Sequence, residues 1–320
     1  MIRIGITGQV GFIGTHLYNT LSLNKDKYDC IPFKDEYFQM EETLDVFVKQ
    51  CDVIVHLAAM NRHNDPDVLF KTNIDLVQKL IASMERTQSK PYVIMSSSLQ
   101  EERDNLYGRS KREGRELFNQ WADRNDAAFT GLIIPNVFGP FGVPFYNSVI
   151  STFSHQVVNN LEPRIEVDAE LRLIYVGDLV QRIIGLLPAD SADCCADHAG
   201  INLTTENTEG TEINSQFSIL NSQLGRAPRL VFVEDMAHYK VSELLERLRC
   251  FHQKYVVEGV IPDLRDYFDL CLFNTFRSYL PVELFPVKYK KHTDPRGDYV
   301  EICRALSTGQ NAYSTTVPGI

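Results

Sequence analysis

The amino-acid sequence predicts an α/β fold: an open, doubly wound parallel sheet with helices on both faces, then a small C-terminal substrate lobe and a short β appendage. Three observations carry this. From Ile2 to about Pro135, short runs of β-branched and apolar residues alternate with longer amphipathic segments, as βαβ units do. The first such run ends in a turn with glycines at positions 8, 11 and 14 and passes straight into a helical pattern. Past Pro135 the alternation loosens, with breaks at Pro140, Pro144 and Pro163, and after Pro281 only short strands and turns such as Asp294-Pro295-Arg296-Gly297 remain.

Strands are expected at residues 2–7, 29–33, 52–57, 91–95 and 129–134, each an apolar run bounded by Gly, Pro or charge. Helices fill the intervals, notably 12–23, 68–85 and 107–124; in the last, Leu117, Phe118 and Trp121 fall at helical spacing and give one face to bury. Further on, another strand is expected at 173–176, with helices near 178–187 and 264–279. The reading is a dinucleotide-binding domain over 1–282, its substrate lobe mainly within 136–282 and covering the carboxyl edge of the sheet, where ligands of open α/β sheets bind. Residues 283–320 are too few to bury a core alone.

A chain of 320 residues with 44% hydrophobic composition has apolar material for a sizeable core, and no apolar run approaches the ~20 residues of a membrane span. The formal charge of -10 is spread along the chain, which argues against non-specific nucleic-acid binding, so any phosphate partner must be met locally. Seven cysteines show no Cys-x-x-Cys spacing, and the one close pair is Cys194-Cys195; a reducing compartment is the simple reading. The N-terminus runs directly into a strand without room for a secretory leader, so a cytoplasmic location is expected.

Thr7-Gly8-Gln9-Val10-Gly11-Phe12-Ile13-Gly14 joins the first strand to the first helix. Gly8 permits a tight turn, Gly11 lets backbone approach a pyrophosphate, and Gly14 allows close helix–strand packing, with the helix N-terminus facing the phosphates. A glycine turn can join any strand to any helix, but this one sits where a dinucleotide is received, and Gly8, Gly11, Phe12, Ile13 and Gly14 are the expected cradle. At the tip of the second strand Lys34 precedes Asp35. A cation there suits the extra phosphate of NADPH and an acid the ribose diol of NAD; the order favours NADPH and leaves NAD open. His56-Leu57-Ala58-Ala59 ends the third strand in small residues that let backbone approach a cofactor, with His56 itself read as a packed histidine.

Tyr107-Gly108-Arg109-Ser110-Lys111 puts a phenol and an ammonium four residues apart, on one helix face. A free tyrosine, with a pKa of about 10, exchanges protons poorly near neutrality. A cation ~4 Å away contributes about 4 kcal/mol at an effective dielectric of roughly 20, or roughly 3 pKa units, and an oxidised nicotinamide pulls the same way. Tyr107 can then give a proton to a carbonyl oxygen that a hydroxyl from Ser96-Ser97-Ser98, at the end of the fourth strand, polarises. Asn73 is a candidate support through a backbone or water contact near Lys111. Each feature alone has a plainer reading: a surface pair, turn-forming serines, an exposed asparagine. Their joint occurrence favours chemistry and counts against a non-catalytic dinucleotide-binding protein.

With Thr-Gly-x-x-Gly-Phe-x-Gly, His-Leu-Ala-Ala, the Asn73 helix, the serine run and Tyr-x-x-x-Lys in this order, the chain resembles the extended short-chain dehydrogenase/reductases over roughly its first 280 residues. The resemblance implies a Rossmann-like sheet, a catalytic set of Ser98, Tyr107 and Lys111, with Lys111 also holding the nicotinamide ribose, Ser96 and Asn73 on the cofactor side, and a homodimer. His56-Leu57-Ala58-Ala59-Met60-Asn61-Arg62, Pro135-Asn136-Val137-Phe138-Gly139 and Tyr146-Asn147-Ser148-Val149 further resemble the CapF-like capsular polysaccharide reductases, which join a reductase domain to a C-terminal cupin. That likeness implies NADPH-dependent reduction of the C4 ketone of a UDP-2-acetamido-2,6-dideoxy-hexos-4-ulose, with Ser97, Arg62, Asn136, Asn147 and Arg172 on the substrate side. Arginine suits a diphosphate through its planar fork.

The sequence departs from that pattern in three places. Only eight residues separate Ser98 from Tyr107; Ile133 stands where many relatives carry arginine; and residues 283–320 resemble the opening of a cupin without its histidine-rich, metal-binding segment. His292 alone makes no metal site, so the reductase reaction is expected here without metal-dependent epimerisation at C3. A nucleotide-sugar 4-epimerase or 4,6-dehydratase is the rival on the same scaffold. Leu99-Gln100 follow Ser98 where dehydration needs a carboxylate, while an epimerase could reuse Tyr107 with a tightly held NAD.

Overall fold

The computed structural model describes residues 1–188, 227, 229–285, 287–307 and 309–318. The Cys194-Cys195 pair lies outside the described residues; Cys30, Cys51, Cys250, Cys271 and Cys303 are free thiols. Among the described residues no helix is long and apolar enough to cross a membrane.

The alternating N-terminal pattern becomes β1 (Ile2–Thr7), α1 (Phe12–Ser22), β2 (Tyr28–Ile31), α2 (Glu41–Gln50), β3 (Val53–His56), α3 (Pro66–Thr87), β4 (Tyr92–Ser98), α4 (Leu106–Asn125) and β5 (Phe129–Ile134). Then come β6 (Asn136–Phe138), α5 (Val149–Val158), β7 (Glu170–Tyr175), α6 (Val176–Ile184), β8 (Leu230–Phe232), β9 (Ala237–Lys240) and α7 (Val241–Phe251). The chain continues through β10 (Val260–Ile261), α8 (Tyr267–Arg277), β11 (Lys291–Asp294), β12 (Gly297–Ala305) and β13 (Gly309–Ser314). The described residues form two compact units, one from within 1–135 and 177–234 and the other from within 136–176 and 235–320.

In the first unit six strands form one parallel sheet in the order β2-β1-β3-β4-β5-β8. This is the predicted Rossmann-like α/β architecture. Strands β3 and β5 are buried along their whole length, as expected of a sheet covered on both faces. Phe47, Phe118, Trp121 and Phe129 are almost fully buried in its core, each contributing on the order of 2–3 kcal/mol by burial. The strand order reverses between β1 and β3, so the carboxyl ends of those two strands flank the crevice where such sheets receive ligands.

Strand ends in β2, β3, β4 and β7 shift by one to three residues from expectation, and two of these shifts have a clear cause. β2 ends at Ile31, because Phe33 leaves the ladder to pack against Tyr37, Phe38 and Phe47. β4 runs on through all three serines, since β5 offers ladder partners to Ser96, Ser97 and Ser98 and tertiary pairing overrides their turn preference.

In the second unit β6, β7 and β9 form a small sheet, with β7 parallel to β6 and antiparallel to β9. Phe138 and Leu173 of that sheet pack with Ile150 and Phe153 of α5, Leu244 and Leu248 of α7, and Leu272 and Phe276 of α8. Strands β11, β12 and β13 form an antiparallel meander, and β12 also pairs with β10.

Candidate active site

The glycine turn folds as its spacing demands. Gly8 has φ +72, a left-handed conformation, and a Cβ on it would come 2.8 Å from the Ala58 nitrogen. Turn and β3 terminus therefore touch backbone to backbone, and the Leu57 nitrogen donates to the Thr7 carbonyl at 3.1 Å. A Cβ on Gly14 would come 2.2 Å from the Gly8 oxygen, which is why the helix can start so close beneath the turn. Helices α3, α4, α5 and α8 each have a side chain capping their first amides, from Asp65, Asn105, Ser148 and Asp266. By contrast α1 starts at Gly11 with no side-chain cap and no acidic residue in its first turn. Its amides and its positive dipole end fit an anionic pyrophosphate. Phe12 and Ile13 lie in that first turn, half-buried.

Behind the turn, His56 is fully buried, and its Nδ1 pairs with the Thr7 hydroxyl at 2.8 Å. Burial, aided by the charge of Lys111, pushes it down to about 3, so it is a neutral, packed imidazole. Asn73 is buried on α3. Its Oδ1 accepts from the Met60 nitrogen at 2.7 Å, and its Nδ2 donates to the Met60 carbonyl at 3.1 Å and to the Ser110 hydroxyl at 3.0 Å. It thereby ties the segment after β3 to the middle of the Tyr107–Lys111 turn, where Ser110 Oγ also donates to the Tyr107 carbonyl at 2.7 Å.

Lys111 is only 4% exposed. Its ammonium donates to the Ser96 carbonyl at 3.1 Å and lies 5.9 Å from the centroid of the half-buried Tyr107 ring. Burial pulls Lys111 down to about 8, opposed by the negative charge of Glu101, so it remains mostly charged near neutrality. Asn105 caps the helix by accepting from the Gly108 nitrogen at 2.7 Å, fixing where Tyr107 leaves the chain.

Strand alternation puts Ser96 and Ser98 on one face of β4 and Ser97 on the other. Ser96 Oγ donates to the His56 carbonyl at 3.3 Å, and Ser98 Oγ accepts from the Gln100 nitrogen at 3.2 Å. Ser97 is buried and donates to Glu101. Glu101 in turn holds Arg115, at 3.0 Å to its Nε and 2.7 Å to its outer nitrogen. The reading of motifs did not single out that pair. Its one sequence hint is Gly131 inside an apolar strand, where a Cβ would come 2.5 Å from Arg115 Cδ.

The first unit thus brings Gly8, Gly11, Gly14, Leu57 and Ala58 together by backbone contacts and ties Ser96 to Lys111, while Asn73 joins through Met60 and Ser110, Ala59 follows Ala58, and Tyr107 and Ser98 lie at the margin. Lys34 is exposed just past β2, and Arg62 is exposed in the segment after β3. In the second unit Asn136 Nδ2 donates to the Arg172 carbonyl at 3.1 Å. The Arg172 guanidinium forks onto Asp235 at 2.7 and 2.6 Å, and Asp235 also pairs with His238. Asn147 is exposed immediately before the cap of α5. Asp235 and His238 were not legible as partners of Arg172, because β7 and β9 are far apart in sequence.

Residues 4–194 match the NAD dependent epimerase/dehydratase family. Over its whole length the chain is 26% identical to a UDP-2-acetamido-2,6-beta-L-arabino-hexul-4-ose reductase of Pseudomonas aeruginosa, 76% of which it covers. It is also similar to the solved capsular polysaccharide assembling protein CapF of Staphylococcus aureus, with 26% identity, a TM-score of 0.74, and coverage of 100% of this chain and 76% of that one. The fold is shared with the Bordetella bronchiseptica enzyme WbmF in complex with NADH, at 13% identity and a TM-score of 0.60 over 87% of this chain and 91% of that one. Family and site agree on a nicotinamide dinucleotide as cofactor. The chain belongs to the NAD-dependent epimerase/dehydratase family and is an NAD(P)-dependent oxidoreductase, similar to the CapF-like extended short-chain dehydrogenase/reductases.

Proposed function

We propose that the protein reduces the C4 ketone of a UDP-2-acetamido-2,6-dideoxy-4-keto-hexose with NADPH, in the synthesis of a capsule or O-antigen sugar such as UDP-N-acetyl-L-fucosamine. One observation carries the chemistry: a buried ammonium, Lys111, anchored on the Ser96 carbonyl beneath the Tyr107 ring, on the same fold unit as the glycine turn. The sugar follows from likeness to the Pseudomonas reductase. When bound, the dinucleotide supplies the hydride.

The chain's own residues do the rest. Gly8, Gly11, Phe12, Ile13 and Gly14 receive the pyrophosphate, and Leu57, Ala58 and Ala59 let backbone approach it. Exposed Lys34 meets the phosphate that distinguishes NADPH. Asn73 and Ser96 keep the cofactor face in place, and Lys111 holds the nicotinamide ribose. Tyr107 gives its phenolic proton to the ketone oxygen, to which the Ser98 hydroxyl also donates, and the Lys111 charge stabilises the phenolate left behind. Asn136 and Arg172 contact the diphosphate, with Arg62, Ser97 and Asn147 assigned to the sugar nucleotide as well. Ser97 enters through the position of β4, since its hydroxyl is taken by Glu101. Residues 283–320 are read as the opening of a cupin-like β domain, in keeping with the meander of β11, β12 and β13.

The test mixes purified protein with NADPH and a panel of UDP-4-keto sugars and follows reduced-nicotinamide absorbance. The reading expects one NADPH consumed per sugar reduced at C4. Inversion at C4 without net NADPH consumption would make the protein a 4-epimerase instead.

A further inference from the structure

We propose that Glu101 is a positioning residue for Tyr107 and Lys111: clamped by Arg115 and Ser97, it fixes the end of β4 against α4 and supplies the counter-charge to the buried lysine. The inference rests on the roles proposed for Tyr107 and Lys111.

Glu101 is 6% exposed, in the short turn Leu99–Glu102 that follows β4. A carboxylate so far from water needs strong partners. It accepts four bonds, one from the Ser97 hydroxyl and three from the Arg115 fork, whose Nε reaches both carboxylate oxygens. Buried ion pairs give little net stability compared with apolar packing, so what this one contributes is geometry and charge.

The geometry is specific. Arg115 lies one helical turn beyond Lys111 and two beyond Tyr107, on the same face of α4. A bidentate fork at that point sets both the axial position and the rotation of the helix. Gly131 of β5 clears the path of the arginine stem, since any Cβ there would collide with its Cγ and Cδ at 2.8 and 2.5 Å. At the other end of the junction, a Cβ on Gly108 would come 1.9 Å from the Gln100 oxygen. The first turn of α4 therefore rests directly on the turn that carries Glu101, whose Gln100 nitrogen also donates to Ser98. Three residues of one network thus lock the serine, the tyrosine and the lysine in register.

Charge makes the second contribution. The titratable and charged groups around Lys111 are Glu101 from the turn, Tyr107 and Arg115 on its own helix, and His56 from β3. His56 is neutral and Arg115 is positive, so Glu101 is the anion of this set. It raises the affinity of Lys111 for its proton against the effect of burial.

The test uses the full chain with [ε-13C]lysine labelling, reading the Lys111 titration by NMR without substrate, alongside kcat, KM and NADPH affinity. Glu101→Gln is expected to lower the Lys111 midpoint by about one pH unit and kcat about tenfold, with the alkaline limb of the kcat profile moving the same way and NADPH affinity within about twofold. Arg115→Met, which leaves the carboxylate unpaired, is expected to move the midpoint upward. A Lys111 midpoint in Glu101→Gln equal to wild type overturns the proposal, whatever happens to activity or melting temperature. If Glu101→Gln does not fold, Arg115→Lys serves: it keeps the charge, loses the fork, and should lower kcat at a nearly constant midpoint; an unchanged kcat overturns the positioning role. If wild type reduces no keto sugar, the reductase reading fails, while the substrate-free titration still decides whether Glu101 governs Lys111.

Discussion

Two arginine forks grip a carboxylate in this protein, and their surroundings separate what they do. Arg115 on Glu101 has side chains 20% and 8% exposed, while Arg172 on Asp235 has 49% and 10%. The first fork joins the turn after β4 to α4 with little left over for solvent. The second fork holds Arg172 by one edge on an open strand surface, so the rest of the guanidinium stays available to a ligand. For Asp235, burial opposes ionisation, but the Arg172 bond and the nearby His238 outweigh it and keep the carboxyl below its usual range. On the proposed roles, the same bond stiffens a catalytic junction in one unit and presents a cation in the other.

If this contrast holds, perturbing the buried region costs most. Lys111→Met should lower turnover by about 10^3, because the phenol loses its charge partner and the Ser96 carbonyl its donor; steady-state kinetics with NADPH and a keto sugar read this directly. The buried site should also carry an acid sensitivity that sets in near pH 6.5, well above the range in which the depressed Asp235 carboxyl of the exposed cluster loses its own contribution. His56 titrates at about 3 when folded and at 6.5 by its ordinary value. Between these the unfolded chain binds the extra proton, so stability falls as pH drops from about 6.5 towards 3, by at most about 5 kcal/mol. Urea midpoints measured across that window should show the slope in wild type and lose most of it in His56→Gln.

Smaller effects sharpen the comparison. Gly8→Ala forces a side chain into a left-handed turn against Ala58 backbone, at about 1–2 kcal/mol, and should weaken dinucleotide binding more than tenfold, roughly, in a fluorescence titration. Arg172→Gln should raise KM for the nucleotide sugar about tenfold and leave kcat and the melting temperature near wild type. A large stability loss there would mean that the exposed fork, too, is a structural clamp.

Much of the first unit was legible in the sequence, because a parallel sheet writes continuous apolar runs and its glycine turn has a fixed spacing. β1 and β5 begin and end where the apolar runs do. Phe33 misled, since an apolar residue next to a strand reads the same whether it joins the ladder or an aromatic cluster. The second unit was less legible. Neither α5 nor α7 was among the expected helices: α5 is short and rich in β-branched and hydroxyl residues, with weak helical preference, while α7 had a helical signal in Leu244, Leu245, Leu248 and Phe251. At the site, residues within one helical turn, such as Tyr107 and Lys111, could be paired from spacing alone. Partners joined only by the fold could not: Glu101 with Arg115 across a helix, or Asp235 with Arg172 across two strands.

The most direct test of the account is single-turnover NADPH oxidation by Tyr107→Phe, with dinucleotide binding measured on the same sample. The account predicts binding close to wild type and hydride transfer slowed by about 10^3, since the fold and cradle persist while the proton donor is gone. Turnover equal to wild type with binding intact would remove Tyr107 from the chemistry and with it the role assigned to Lys111.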